Sequence, residues 1–395
     1  VEYLPVDFGR KNIKGEIMKK VRVGLIGTGY IGRCHAIAYA QAPTVFNLQG
    51  KLELEYLAEI TDELAAQKAQ EFGFKRSTGD WREVVSDPNI DVVDICTPNF
   101  LHKEIALAAI KHGKHVYSEK PLALTALEAK AMYDAAEQAG IKTLVGFNYM
   151  KNPTSQLARE IIANGEIGDV IHFYGTHNED YLASPNTPID WHCYRAKAGL
   201  GALGDIGAHI VNMAQYLLGE EIVSVSGDLQ TVIKQRPDPQ DKTKLIDVEN
   251  EDQASALLRF ANGTMGTIET SRIACGRKMG LTYVVTGTKG TISYTQERMA
   301  ELKLYLHDND PARQGFKTIL TGPLHPDYKP FCVSAGHGIG FNDQKTVEVR
   351  DLIVGLTENK PMWPDFAEGY RVSRILEAIA KSAEIKRWVD VGQID

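Results

Sequence analysis

Asp205 and His209 stand four residues apart in GALGDIGAHIVNMAQYLLG, residues 201–219. At 3.6 residues per turn that spacing leaves the two side chains about 40° apart on one helix face. Histidine titrates near neutrality, so His209 has the chemistry of a general base for a hydroxyl proton, with Asp205 to orient the ring and stabilise the imidazolium. The plainer reading of the pair is an N-cap and a surface imidazole. Gly199, Gly201, Gly204 and Gly207 crowd the segment, and such density suggests backbone approaching something closely, which favours chemistry. Lys120, in Glu119-Lys120-Pro121, adds a cation able to donate to a substrate hydroxyl and to stabilise alkoxide character as it develops. His177, His192, Asp205 and His209 would be the residues to hold a metal, but no H-E-x-x-H and no paired cysteines accompany them, and no metal is expected.

The elements that must position these residues follow from periodicity. VRVGLIG (21–27) is a short apolar run ending in glycine, a buried parallel strand. Helical and strand patterns then alternate through LELEYLAEI, DELAAQKAQEFG, DVVDICTP, LHKEIALAAIKHGK, HVYSEKP, TALEAKAMYDAAEQAG and KTLVGFNY. This cadence predicts an α/β fold opening on a doubly wound parallel sheet. Gly27-Thr28-Gly29-Tyr30-Ile31-Gly32 is a G-x-G-x-x-G between the first strand and the first helix. There the first glycine makes the turn, the second admits a pyrophosphate and the third lets helix and strand pack. A carboxylate at the end of the second strand, Glu59, suits the ribose hydroxyls of NAD and repels the extra phosphate of NADP; QAPTVFNLQG reads as an insertion that lengthens its distance from the fingerprint. Thr97, Pro98 and Asn99 end a further strand at the same sheet edge, where open α/β sheets bind ligands. His102, Glu119, Lys120 and Asn148 join them as cofactor candidates.

After Asn148 the pattern changes. DVIHFYGTHNEDY, ASALLRFANGTMGTIETSRI and LTYVVTGTKGTISYT read as long strands and hairpins of a mostly antiparallel sheet, KQRPDPQDKTKLIDVENED (234–252) as an exposed loop, and FAEGYRVSRILEAIAKSAEI as a closing amphipathic helix. The expected organisation is a tail over 1–20, a Rossmann domain over 21–147 and, over 148–395, an α/β domain with a large open sheet for substrate binding and oligomerisation. Met18, followed by two lysines, reads as the natural start. The net charge of −7 and the absence of a basic cluster argue against nucleic acid as a partner, and no segment has the apolar length of a membrane span. Five isolated cysteines in 395 residues suggest a reducing, cytoplasmic setting.

The fingerprint, EKP (119–121), GFNYMKNP (146–153), GLGALGDIGAHIVNMAQYLLG (199–219) and LLRFANGTMGTIETSR (257–272) together resemble the Gfo/Idh/MocA family of NAD(P)-dependent oxidoreductases. The resemblance implies that Lys120, Asp205 and His209 are catalytic, His209 as acid/base, and that the cofactor is NAD or NADP, of which Glu59 favours NAD. THNEDYLASPNTPIDWHCYRAKAG (176–199) resembles the branch that oxidises sugars, anhydrosugars and cyclitols such as inositol. That segment offers His177, Glu179, Asp180, Trp191 and Arg195 as polar substrate contacts, with Asn148, Lys151 and His337 as further candidates. The expected reaction is oxidation of a secondary hydroxyl to a ketone by a homodimer or homotetramer. Two rivals share these residues: an NAD-dependent glycosidase working through transient oxidation, and a non-catalytic sensor of NAD or sugar.

Overall fold

The computed structural model describes residues 20–48, 50–308 and 310–394. The reading of Met18 and, apart from Lys20, of the tail lies outside the described residues. The chain forms two compact units. In the first, among the described residues, β1 (Lys20–Ile26), β2 (Lys51–Ala58), β3 (Arg76–Thr78), β4 (Val92–Ile95), β5 (His115–Ser118) and β6 (Thr143–Val145) make a parallel sheet in the order β3-β2-β1-β4-β5-β6. This is the doubly wound order expected, and it reverses direction beside β1, where such sheets open a ligand crevice. Helices α1 (Tyr30–Phe46), α2 (Asp62–Phe72), α3 (Trp81–Ser86), α4 (His102–Lys111) and α5 (Ala126–Ala139) make the connections. The supposed insertion is in part the last turns of α1, which runs through Pro43 to Phe46. Helix α2 has conventional ends: Thr61 caps the Leu64 N–H, Asp62 and Glu63 face the positive end of the dipole, and Gly73 closes the helix in a left-handed conformation.

The second unit runs from Tyr149 to Ile339 and resumes at Arg371. Its elements are α6 (Pro153–Ala163), β7 (Val170–Asn178), α7 (Arg195–Ala198), α8 (Ala208–Leu218), β8 (Ile222–Gln230), β9 (Gln235–Pro237), β10 (Leu245–Asp247), β11 (Gln253–Phe260), β12 (Met265–Ser271), β13 (Gly280–Gly287), β14 (Gly290–Thr295), β15 (Glu301–Leu306) and β16 (Lys317–Leu320). They are followed by α9 (Phe341–Thr357), α10 (Phe366–Ile385) and β17 (Val389–Asp390). Nine strands form one sheet in the order β16-β15-β14-β13-β7-β12-β11-β8-β17, antiparallel except where β7 runs parallel to β12. The two expected hairpins are present as β11–β12 and β13–β14. Alternating burial along β11 and β13 leaves one face of the sheet packed and the other open. Helix α8 lies directly on β7, because a Cβ at Gly175 would come within 2.7 Å of Ile210.

The segment 234–252 departs from its expectation. It is not an exposed loop throughout: β9 pairs with β10, and Arg236, Asn250, Glu251 and Asp252 are buried. The Arg236 guanidinium donates to the carbonyls of Leu182 and Ser184, and Ile246 and Val248 pack with Leu182, Ile189 and Cys193 in a small apolar cluster. The segment therefore anchors the 176–199 stretch rather than trailing in solvent.

Helix α9 belongs to the first unit, which includes Gly340–Tyr370. Its Val349, Leu352, Ile353 and Leu356 complete an apolar core with Ala38, Tyr39 and Ala42 of α1 and with Val21, Val23, Val92, Tyr117 and Leu144 of the sheet.

Candidate active site

In the first unit the three fingerprint glycines meet three separate demands. Gly27 has φ of +92° and a Cβ there would fall 2.7 Å from the Cys96 carbonyl oxygen. A Cβ at Gly32 would fall 2.2 Å from the Gly27 carbonyl, whereas one at Gly29, the residue before α1, would meet nothing within 4 Å. A tight turn, close helix packing and an open approach at the helix N-terminus are the features that admit a pyrophosphate. Among the described residues no side chain caps α1. Tyr30 is exposed and stacks on Phe341 at 6.0 Å, while Ile31 borders the core. Glu59 stands at the end of β2, where its Oε1 accepts from the Thr28 N–H and hydroxyl at 2.7 and 2.6 Å and its Oε2 accepts from the Ile60 N–H.

The turns after β4 and β5 are tied together. His102 is wholly buried between the carbonyls of Thr97 and Pro121, with Nε2 at 2.9 Å from the first and Nδ1 at 3.0 Å from the second. Burial pushes its pKa down, and the neutral ring donates to one carbonyl at a time. His102 thus links the turn of Thr97-Pro98-Asn99 to the turn of Glu119-Lys120-Pro121. Asn99 is buried, and the Thr97 hydroxyl is buried without a partner. Asn148 donates through Nδ2 to Gln344 Oε1 at 3.1 Å. This open helix end, strand-end carboxylate and unpartnered hydroxyl fit a dinucleotide.

Beneath Lys120 the Glu119 carboxylate turns inward. His35 Nε2 lies 2.9 Å from Oε1, the Lys345 ammonium lies on the same oxygen, and the Lys120 N–H reaches Oε2 at 3.3 Å. Asp94 takes His35 Nδ1 at 2.9 Å and the Tyr39 hydroxyl at 2.7 Å. Burial raises the pKa of Glu119, but Lys345 and His35 outweigh it and hold the carboxyl well below the usual range. Burial lowers that of His35, but Asp94 outweighs it and lifts the imidazole to about 9. His35, Asp94 and Cys96 also have ligand atoms within 4.8 Å of one another, as a metal would need; here His35 Nδ1 faces Asp94 and Nε2 faces Glu119.

In the second unit Asp205 sits in a π-turn, Leu203–Gly207, that runs into α8, a feature common at functional sites. Its Oδ2 accepts from the Tyr181 hydroxyl at 2.7 Å. His209, in the first turn of α8, is buried at 6 % exposure, so the surface-imidazole reading fails. Its ring meets Tyr149 edge-on at 4.5 Å and lies 5.6 Å from that of His177. His177, fully buried on β7, donates through Nδ1 to the Ile206 carbonyl at 2.9 Å, and its Nε2 lies 3.1 Å from Glu179. The π-turn, the start of α8, β7 with the stretch after it, and the turn before α6 thus supply Asp205, His209, His177, Glu179, Tyr181 and Tyr149.

Other candidates are placed less centrally. Asp180 is held by Lys278 at 2.7 Å and by the Gly276 N–H, and the lysine keeps its pKa low. Trp191 stacks on His192 at 3.7 Å, Arg195 is exposed with its N–H on Glu249, and Lys151 is buried. His337 is exposed, and its carbonyl accepts from the Tyr328 hydroxyl. Tyr149 and Tyr181 were not singled out from sequence. Only their neighbours Asn148 and Asp180 were, and adjacency by itself does not point to them.

Two family models match the chain: an oxidoreductase family with an NAD-binding Rossmann fold over residues 21–147, and a GFO/IDH/MocA C-terminal domain over residues 155–293. The levoglucosan dehydrogenase of Pseudarthrobacter phenanthrenivorans is 41 % identical over 389 residues, which span 95 % of this chain and all of that one. A levoglucosan dehydrogenase solved with NADH and levoglucosan superposes with a TM-score of 0.91 at 42 % identity, covering 95 % of this chain and 100 % of the other. An NAD-binding oxidoreductase from Klebsiella pneumoniae gives 0.89 at 42 % identity, covering 94 % and 99 %. With both family models in sequence order and relatives matched end to end, this chain belongs to the Gfo/Idh/MocA family of NAD-binding oxidoreductases.

Proposed function

We propose that this protein is an NAD-dependent sugar dehydrogenase that oxidises a secondary hydroxyl to the ketone, with levoglucosan as its foremost substrate candidate and cyclitols as the alternative class. The observation that carries this reading is the end-to-end likeness to a dehydrogenase solved with NADH and that anhydrosugar. His209 takes the hydroxyl proton, and Asp205, held by Tyr181, orients the imidazole. Lys120 donates to the same oxygen and stabilises the charge it gains. When bound, NAD supplies the acceptor for the carbinol hydrogen as hydride. In the first unit, Gly27, Gly29, Tyr30, Ile31, Gly32, Glu59, Thr97, Pro98, Asn99 and Asn148 line the cofactor site, with His102 and Glu119 behind them. His177, Glu179 and Tyr149 supply donors and acceptors for sugar hydroxyls, and the exposed His337 and Arg195 are peripheral.

The protein works as a homodimer or homotetramer in the cytoplasm. The five cysteines, none disulfide-bonded, support a reducing compartment, and no described helix is long and apolar enough to cross a membrane. The test is NADH formation with levoglucosan, free hexoses, glycosides and inositols, with NADP in parallel and the products analysed. An NAD-linked signal, strongest with an anhydrosugar and yielding a keto-sugar, is expected. Release of free sugar without net NADH would replace the dehydrogenase with a glycosidase, and silence with every substrate would overturn the assignment.

A further inference from the structure

We infer that Lys345 of α9 is a positioning residue for Lys120, acting through the Glu119 carboxylate. The inference rests on the role of Lys120 proposed above. Glu119 is the residue directly before Lys120, and its carboxylate is confined on every side that the structure describes. Oε1 meets His35 Nε2 at 2.9 Å and the Lys345 ammonium. A Cβ on Gly146 would fall 2.2 Å from the same oxygen, so the backbone after β6 closes another side. Oε2 is left to accept the Lys120 N–H at 3.3 Å. A carboxylate pinned in this way fixes where the Lys120 backbone begins.

Lys345 is itself pinned. It is fully buried, and one turn further along α9 Glu348 Oε2 lies 2.9 Å from its ammonium and also accepts from the Tyr117 hydroxyl at 2.8 Å. Stacking of Tyr117 on His35, with ring centroids 4.6 Å apart, closes the circuit. Among the described residues Glu348 Oε1 has no partner, and burial, outweighing Lys345, raises its pKa.

Stability does not explain such a cluster. Buried ion pairs rarely outperform apolar side chains of equal volume, because desolvation cancels most of the attraction. The apolar core formed with α9 lies alongside, with Val349, Leu352 and Ile353 from the same helix. What charges add over methylenes is direction. Lys345 and His35 specify a position for the Glu119 oxygens, and hence for a donor whose displacement by about 1 Å would slow a reaction substantially.

The experiment compares Lys345→Met, the charge-neutral double variant Glu119→Gln/Lys345→Met, Lys120→Ala and Lys120→Ala/Lys345→Met. The double variant guards against Lys345→Met failing to fold with Glu119 left to His35 alone. Readouts are Tm, NAD affinity by fluorescence titration, and kcat and KM for levoglucosan per NAD-binding site. The expected result is a double variant with Tm and NAD affinity close to those of the parent but kcat lower by about tenfold or more. In the Lys120→Ala background, Lys345→Met should then cost less than about twofold further, because the two residues act as one. A double variant whose kcat per site holds, whatever its Tm, overturns the inference. So does a loss in the Lys120→Ala background as large as in the parent. If Lys120→Ala itself keeps parental turnover, the role of Lys120 fails first and takes the inference with it.

Discussion

Removing the Lys120 ammonium or the His209 imidazole should slow turnover by about 10²–10⁴-fold each, with NAD affinity changed by no more than a few-fold in a fluorescence titration. Parental turnover in either variant would remove that residue from the chemistry. Two other histidines, His115 and His35, should each tie stability to pH. His115 Nδ1 accepts the Lys142 N–H at 3.1 Å, and burial followed by the Lys142 charge pushes its pKa down to about 4. Between its ordinary value near 6.5 and 4, the unfolded chain binds a proton that the folded one refuses. Stability should therefore fall by up to about 3 kcal/mol as pH drops through that window. His35 acts in the opposite sense: raised to about 9, it contributes below 6.5 and loses its contribution as pH rises through 9. Tm should peak near pH 6.5, and His115→Asn should flatten the acid limb; an unchanged acid limb would discount the histidine. Spacing raised Asp205 and His209, the glycines around them favoured chemistry over an N-cap and a surface imidazole, and the family resemblance gave them roles. Tyr149 and Tyr181 escaped because a tyrosine next to a polar residue has no such signature. Nor could the sequence reveal that Glu119 points into the core while its neighbour Lys120 is half-exposed.

The alternation of strand and helix in the first 150 residues, and the paired strands of the sheet after them, were legible because period-two, period-3.6 and continuous apolar patterns report burial directly. The π-turn before α8 was not, since one wide turn in a glycine-rich stretch leaves the apolar spacing of Ile210, Met213 and Leu217 unaltered. Segment 234–252 was misread for a different reason. Polarity was taken as exposure, yet Arg272, Asp252 and Asn250 satisfy one another in the interior: Arg272 Nε lies 3.0 Å from Asp252, Nη2 lies 3.2 Å from Asn250 and Nη1 lies 3.1 Å from the His192 carbonyl. A polar group that brings its own partner can be buried, and hydropathy does not register the partner. Arg272→Met, which strands Asp252, should cost about 3–5 kcal/mol in urea denaturation, and adding Asp252→Leu should recover part of it. Equal stability of Arg272→Met and the parent would show that the cluster is not the anchor of this region.

At the scale of the whole molecule, the open face of the nine-stranded sheet carries the proposed self-association. Val284, Tyr174, Thr267 and Leu257 are successive register partners across β13, β7, β12 and β11, and Tyr174 and Leu257 are exposed. Tyr174→Glu/Leu257→Glu should lower the mass measured by light scattering below that of the parent; a parent already monomeric, or a variant of unchanged mass, would remove this face as the interface. The open sheet was foreseeable from hairpins with one polar face. The assignment of α9 to the first unit was not, because an amphipathic helix does not state which surface it will cover. That assignment has a consequence during synthesis. The surface of α1 that awaits Val349, Leu352, Ile353 and Leu356 leaves the ribosome about 310 residues before they do. At about 5–20 residues per second, the nascent dinucleotide half would display an uncovered apolar furrow for about 15–60 s, a window in which chaperones rather than the chain itself would have to keep it from sticking.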